Sequence, residues 1–522
     1  MFHHRFSQAR VMTRHFLSPS FLMRSFVPMR AMSGTQPSLT APKVKPSRAL
    51  VALPSSKPTA PANDAAARDQ AALRRRVWTL ALPAIGEQLL ALFVGLSDTF
   101  LTGHLNTRAI QQLGYGRADA VAAVGVGGNI TWVVLTLFFA VGVGGTALVA
   151  RAVGAKDRQL SVKGAGQAII LGLLCGILLA VLAVPLARGV TDLLGVQGTV
   201  ADLAASFLRI FSFGLPAVGV TYAANASMRG AGDTRRPLMV MLLVNGTNIA
   251  ASWLLMNGVP AFGIPTLGVI GSACGAAAGW TMGAVLALFF LSRRHRFSPK
   301  LTLQALKPDM RIMGRVTRVG LPSAAELFVL QLGVLTFSRF VVGLGAATYA
   351  ANLTINNIES IGTLPGLGFA AAATTLVGQA LGAEDPGLAQ RSTWAALRPC
   401  FVFMLSIGIC ALLVPAVLLN LFVADASVVN AGAFSMRFSL LTLPALSISF
   451  ICNGALRGAG DTKWPVVVRA AGAWGVRLPV ALVLIPLLAL PGARLAMAAD
   501  FWTQAFLAYW RFHSGRWRKA RV

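Results

Sequence analysis

From Val77 to Trp510 the chain repeats one pattern: about twenty apolar residues with few or no charges, then a short connection. Wound as an α-helix, a run of that length crosses the roughly 30 Å hydrocarbon core of a bilayer. In hydrocarbon every backbone amide must bond within the protein, so spanning segments are helices or closed barrels, and runs this long are helical. Composition agrees, with 55% hydrophobic and only 12% charged residues in 522. A soluble protein carries roughly 25% charged residues to cover its surface. The sequence therefore predicts an all-α integral membrane protein whose principal partner is the lipid bilayer. The net charge of +29 does not point to nucleic acid, because the basic residues flank the apolar runs instead of lining one face.

Cysteine and histidine narrow the chemistry. The five cysteines (Cys175, Cys274, Cys400, Cys410, Cys452) all fall inside apolar segments and form no C-x-x-C pair. The six histidines (His3, His4, His15, His104, His295, His513) all lie outside the runs. Haem held by intramembrane histidines is excluded, and no metal site is expected beyond a coupling cation. No G-x-x-x-x-G-K-[ST] occurs, so the chain has no P-loop. No cofactor is expected other than H+ or Na+.

Residues 1–76 read as a disordered basic tail, with thirteen Lys/Arg and no acid before Asp64. Arg5, Arg10, Arg14, Arg24 and Arg30, interleaved with Phe and Met, have the acid-poor look of an organelle transit peptide. The alternatives are a plain disordered tail and a start assigned too early, with Met12, Met23, Met29 and Met32 as later starts.

A twenty-residue window gives twelve spans, at 77–102, 119–143, 164–188, 203–227, 236–257, 267–292, 317–343, 347–375, 392–416, 433–455, 464–489 and 493–510. The connections test this count. Arg74–Arg76 precede span 1, and Arg151, Lys156, Arg158 and Lys163 follow span 2. Arg229, Arg235 and Arg236 follow span 4. Arg293, Arg294, Arg296, Lys300, Lys307, Arg311, Arg315 and Arg318 fill the 6–7 connection, and Arg457 and Lys463 follow span 10. The connections between are almost bare: 258–266 and 344–346 have no charge and 417–432 has only Asp425. This alternation places both termini in the cytoplasm of an inner (plasma) membrane protein, or an organelle membrane protein if the tail is a transit peptide.

The chain is also duplicated. Arg229-Gly230-Ala231-Gly232-Asp233-Thr234 recurs as Arg457-Gly458-Ala459-Gly460-Asp461-Thr462, a shift of 228. The same shift carries Asn129 onto Asn357, Leu215-Pro216 onto Leu443-Pro444 and Asn225 onto Asn453. Leu82-Pro83-x-x-x-Glu87 recurs as Leu321-Pro322-x-x-x-Glu326 at 239, so the first half has 11 extra residues near Asn106–Arg117. Six spans per half is even, which makes the repeat parallel. The expected organisation is a tail (1–76), an N-lobe (77–292), a cytoplasmic linker (293–316), a C-lobe (317–510) and a basic C-terminus (511–522), with a cleft between two six-helix lobes.

Four acids stand well inside spans: Glu87, Asp98, Glu326 and Glu359. A charge at the bilayer centre costs at least about 2.5–3.5 kcal/mol on insertion scales, so each is a candidate ion-coupling residue. Such a carboxyl can take a proton from one side and release it to the other, or, ionised among carbonyls and amides, hold Na+. Asp98 and Glu87 share a helix face about three turns apart, too far for one compact site. Asn129, Asn245, Asn248, Ser252 and Asn357 are candidate cavity-lining residues, with Asn248 a candidate partner of Asp98 for Na+. The plainer alternative is that these amides only bond a neighbouring helix.

These features resemble the multidrug and toxic compound extrusion (MATE) family, and most closely its DinF-type branch. The resemblance covers about residues 77–515. It rests on the duplicated hexapeptide, on Ser97-Asp98-Thr99 with Gly103, on Gly378-Gln379-x-Leu381-Gly382-Ala383, and on Arg477-Leu478-Pro479. It implies H+- or Na+-driven export of organic, often cationic and amphipathic, compounds by alternating access, with coupling at Asp98. The sequence departs from that branch at Ser252, where an aspartate is expected four residues after the span-5 asparagine. Glu326 is also no clean match to the family's span-7 glutamate. The competing readings are a lipid-linked oligosaccharide flippase and an intramembrane enzyme. Arg209, Arg339 and Arg437 lie near outer span ends and little basic charge is expected deep in the membrane, which disfavours the flippase. No clustered catalytic set supports the enzyme. Small organic substrates and a monomeric state are expected.

Overall fold

A computed structural model describes residues 62–260, 263–293 and 300–520, with side chains from Asp69 onward. The proposed transit segment and Arg294, Arg296 and Arg521 lie outside the described residues.

The first half comprises α1 (Ala62–Gly103), α2 (Thr107–Leu113), α3 (Arg117–Gly154), α4 (Arg158–Leu193), α5 (Gly198–Ser212), α6 (Leu215–Ala231), α7 (Arg235–Asn257) and α8 (Val269–Ser292). The second comprises α9 (Met310–Val342), α10 (Ala346–Gly382), α11 (Pro386–Leu413), α12 (Pro415–Asn420), α13 (Ala426–Met436), α14 (Ser439–Ala459), α15 (Lys463–Ala470), a π-helical stretch (Ala471–Arg477), α16 (Leu478–Leu488) and α17 (Leu490–His513). Ten helices among the described residues are long and apolar enough to cross a membrane, and α5 with α6 makes an eleventh span, bent by 56°. The bend falls at Phe213-Gly214, just before Pro216, which cannot donate a backbone hydrogen bond. The tenth predicted span is likewise divided, into α13 and α14. The twelfth, α17, carries Arg494 and Asp500 and is less apolar than the others. The extra residues of the first half form α2.

One expected boundary changes, and two further segments are packed against the body. The first helix begins at Ala62, so 62–76 are helical and not an irregular tail. Its alanines (Ala65–Ala67, Ala71, Ala72) favour helix, and Arg76 is held by Gln379 at 2.6 Å. The described end of the linker is clasped to the N-lobe: the Gln167 amide donates to the Ala305 and Lys307 carbonyls, each at 2.8 Å, and accepts from the Asp309 amide at 2.9 Å. Gln167→Leu should cost about 1–3 kcal/mol by leaving buried backbone groups unpaired. Limited trypsin digestion checks it, with faster cleavage expected at Lys307. The C-terminal stretch is also packed. Trp517 is buried, stacks on Phe512 at 5.0 Å and donates to the Phe512 carbonyl.

Each half has its own core. Phe138, Val218, Val244 and Ala273 lie at the centre of the first, and Ile355, Met404, Leu443 and Ala493 in the second. The opening turns of α1 (Val77, Leu80, Ala81) pack into the second core, so the first span leans across the boundary. The contacts between lobes cluster at the span ends that carry the basic connections. There the chain uses glycine so that backbones can touch. A methyl group on Gly154 would stand 2.0 Å from the Gln379 carbonyl oxygen, one on Gly382 2.0 Å from that of Arg151, and one on Gly144 2.2 Å from that of Val316. The Gln379 amide bridges the seam, accepting from Arg76 and donating to the Gly230 carbonyl at 2.9 Å. These contacts explain the Gly378-Gln379-x-Leu381-Gly382 pattern. At the opposite ends Asn129 and Asn357 are exposed.

Candidate ion-coupling site and buried charge network

α1 carries Asp98 on the side that faces α7 inside the N-lobe. The Asn248 amide donates to Asp98 Oδ1 at 3.1 Å and the Ser252 hydroxyl donates to the same oxygen at 3.3 Å. Asn248 and Ser252 are one turn apart, so one face of α7 presents both. The Ser97 hydroxyl donates to the Asn248 carbonyl oxygen at 3.2 Å, which fixes the amide so that its N–H₂ points at Asp98. Asp98 is 5% exposed, and Asn248 and Ser252 are 0%. Among the described residues no lysine or arginine forms an ion pair with Asp98. It is a lone carboxyl among neutral hydrogen-bond donors.

The other three acids are held differently. Glu87 pairs with Arg229 and accepts from the Asn225 amide at 3.4 Å. Glu326 accepts two hydrogen bonds from Arg457, at 3.2 and 2.6 Å, and one from Arg469 at 3.4 Å. Glu359 pairs with Arg494 and accepts from the Thr442 hydroxyl at 2.9 Å. A carboxylate fixed against a guanidinium is a neutral unit, unlike an isolated acid. The ion-coupling role expected of Glu87, Glu326 and Glu359 therefore has less geometric support than that of Asp98.

Arg229 and Arg457 are the first residues of the duplicated hexapeptide, and they meet the duplicated glutamates. The repeat is thus a repeated ion pair. Its remaining residues turn the chain: Gly232 and Gly460 adopt positive φ of 93° and 87°, which an L side chain would strain. The Asp233 carboxylate then accepts from the Arg236 amide at the start of α7.

The C-lobe corrects two expectations. Basic charge does lie deep, and a fifth buried acid, Asp500 on α17, stands within a span. Arg477 holds Asp500 through Nε at 2.7 Å and through Nη2. Gln504 donates to Asp500 at 2.6 Å and accepts from Arg469 at 2.8 Å, which joins this pair to Glu326 and Arg457. Arg494 and Asp500 are 0% exposed. Arg477 lies between Phe337 and Phe501, with ring centroids at 5.6 and 5.3 Å. The matched positions of Glu87 with Glu326 and Arg229 with Arg457 are the signal that would have revealed two of these pairs.

The candidate cavity residues fall into two groups. Asn245, Asn248 and Ser252 are inside the N-lobe; the Asn245 amide donates to the Leu90 carbonyl at 3.0 Å. They do not line an open cavity in this conformation, because α1 covers them. Asn129 and Asn357 are exposed.

The fold and the site define a multi-pass membrane protein of two repeated helical lobes. The MatE family profile matches residues 83–254 and 322–483. The Thermotoga maritima protein named "probable multidrug resistance protein NorM" is 30% identical over 86% of this chain and 94% of its own length. The multidrug resistance protein NorM of Burkholderia vietnamiensis is 28% identical over 83% and 92%. Among solved structures, a MATE protein in a bent conformation superposes with a TM-score of 0.76 at 20% identity, over 85% of this chain and 96% of that one. A MOP superfamily transporter from Pyrococcus furiosus gives 0.75 at 19% identity, over 85% and 95%. The chain belongs to the MATE family, a family of transporters and not of enzymes.

Proposed function

We propose that this protein exports amphipathic organic compounds by alternating access, in exchange for H+ or Na+ loaded at Asp98. The observation that carries the coupling role is that Asp98 alone among the five buried intramembrane acids has no arginine against it. The names of the NorM relatives support the efflux of multiple compounds. In this reading the basic connections and both termini are cytoplasmic, the lobes meet at that side, and the cleft opens outward from a monomer in the plasma membrane. The flippase alternative is not favoured by the deep arginines, since Arg229, Arg457, Arg469, Arg477 and Arg494 each already face a carboxylate.

The test is gradient-driven flux in proteoliposomes, with a pH or a Na+ gradient imposed separately and a panel of neutral and cationic fluorescent amphiphiles. Wild type should move at least one of them under one gradient. Asp98→Asn, which keeps the size and the hydrogen bonds of the site, should lose about 100-fold or more of the flux with little change in melting temperature, as removal of a coupling group implies. Flux by Asp98→Asn equal to wild type would defeat the mechanism.

A further inference from the structure

At the basic end α1, α3, α9 and α10 meet through close backbone contacts, and the face of each helix that makes the seam continues towards the opposite end, where the proposed efflux mechanism puts the cleft. At about 100° per residue, positions 7, 11, 18 or 25 apart return to within about 20° of one another. On α3 the seam residues Ala140, Ala147 and Gly154 stand 11, 18 and 25 positions after Asn129. On α10, Gly368, Thr375 and Gly382 stand at the same intervals after Asn357. On α1, Gln88 follows the seam residue Ala81 by seven, and on α9, Gln331 follows Gly320 by eleven. Gln88 and Gln331 are half-buried, and Asn129 and Asn357 exposed. Each of the four helices thus brings one amide to the cleft.

The charges lie elsewhere. By the same rotation Glu87, Asp98, Glu326 and Glu359 sit about 80–160° away from the amide of their own helix, Asp98 the nearest of them. Three are neutralised by arginine, and the fourth is shielded by Asn248 and Ser252. A permanent cation in such a cleft would shed part of its water with no counter-charge to meet it, whereas a hydrogen-bonding neutral molecule would find donors and acceptors among apolar walls.

We propose that the cleft selects amphiphiles by hydrogen bonding to Gln88, Asn129, Gln331 and Asn357, and not by positive charge. This rests on the efflux reading and reverses the cationic preference that the family resemblance implies.

The test compares two probes of nearly one shape, triphenylphosphine oxide, neutral with a strong acceptor oxygen, and methyltriphenylphosphonium, a permanent cation. Equilibrium dialysis against the full chain in detergent reads their affinities. The oxide should bind about tenfold more tightly, the value of one well-made hydrogen bond. Asn129→Leu combined with Asn357→Leu should erase that preference. Asn129→Asp, which adds charge at the same place, should raise phosphonium affinity. The proposal is overturned if the phosphonium binds as tightly as the oxide, if neither binds, or if the leucine variant, shown folded by its melting curve, keeps the preference. Gradient-driven export of the phosphonium would sustain the efflux reading while overturning this one; binding of the oxide without any gradient-driven flux would do the reverse.

Discussion

Asp500→Asn should lower the thermal stability of the detergent-solubilised protein by about 3–5 kcal/mol, the range seen when one member of a buried ion pair is removed. The reason is what it leaves behind. Arg477 is 3% exposed, enclosed by Phe337 and Phe501, and Asp500 supplies its carboxylate. A guanidinium cannot shed its charge by deprotonation, so the variant must hold an uncompensated cation or open the lobe. The surroundings are tight as well. A methyl group on Gly472, in the π-helical stretch, would stand 2.0 Å from Asp500 Oδ1, so the carboxylate is pressed against bare backbone. The double variant Asp500→Asn with Arg477→Leu should recover part of the loss, because an apolar side chain leaves no stranded charge. The measurement is the aggregation midpoint on heating for wild type, single and double variants. A single variant within 1 kcal/mol of wild type would contradict the network, as exposed pairs are worth only about 0–1 kcal/mol.

Gly154→Val and Gly382→Val should each stop the basic ends of the lobes from closing. The nearest atoms across the seam are backbone carbonyls, which have no rotamer to change, so the lobes themselves must part. A cost of about 1–3 kcal/mol corresponds to a shift of roughly 5–150-fold in the balance between conformations. Spin labels at Val133→Cys and Ile361→Cys, in a background lacking the native cysteines, should report a shorter distance across the cleft as the far ends come together. Gly189→Val is the control, since a Cβ at Gly189 meets nothing within 4 Å. An unchanged distance distribution in both seam variants would show that the contact does not govern the conformation.

The large-scale order was readable because it is written in periods. Spans follow hydropathy over about twenty residues, and the halves follow the duplicated hexapeptide and Leu-Pro-x-x-x-Glu. Asn248 was legible as a candidate partner of Asp98, whereas Ser252 was legible only as a cavity-lining candidate and a departure from the family pattern, and its hydrogen bond to Asp98 emerges from the structure. Long-range partners were not legible: Arg494 meets Glu359 across 135 residues and Arg457 meets Glu326 across 131. No helical period reports such a pairing. Asp500 was passed over although it stands mid-way along α17, because that helix is less apolar than the ten clear spans and one more polar residue does not stand out in it. Only its neighbours show that it faces protein. The break in the fourth span falls just before Leu215-Pro216, which in the sequence served as an anchor of the repeat. The clasp of Gln167 on the linker had no signal, since a glutamine in a span bonds equally well to many carbonyls.

The matching glutamate–arginine pairs bear on how a doubled gene comes to do something its single ancestor need not have done. Both halves carry the same internal brace, Glu87 with Arg229 and Glu326 with Arg457. Only one copy carries a solitary acid; at the place in the second half that corresponds to Asp98, 239 positions on, stands Phe337, packed in the core. In the proposed mechanism the two copies divide the labour, the first loading an ion at its solitary acid and the second holding its buried acids against arginines. A chain assembled from two first halves would carry two such acids and no anvil for either to work against.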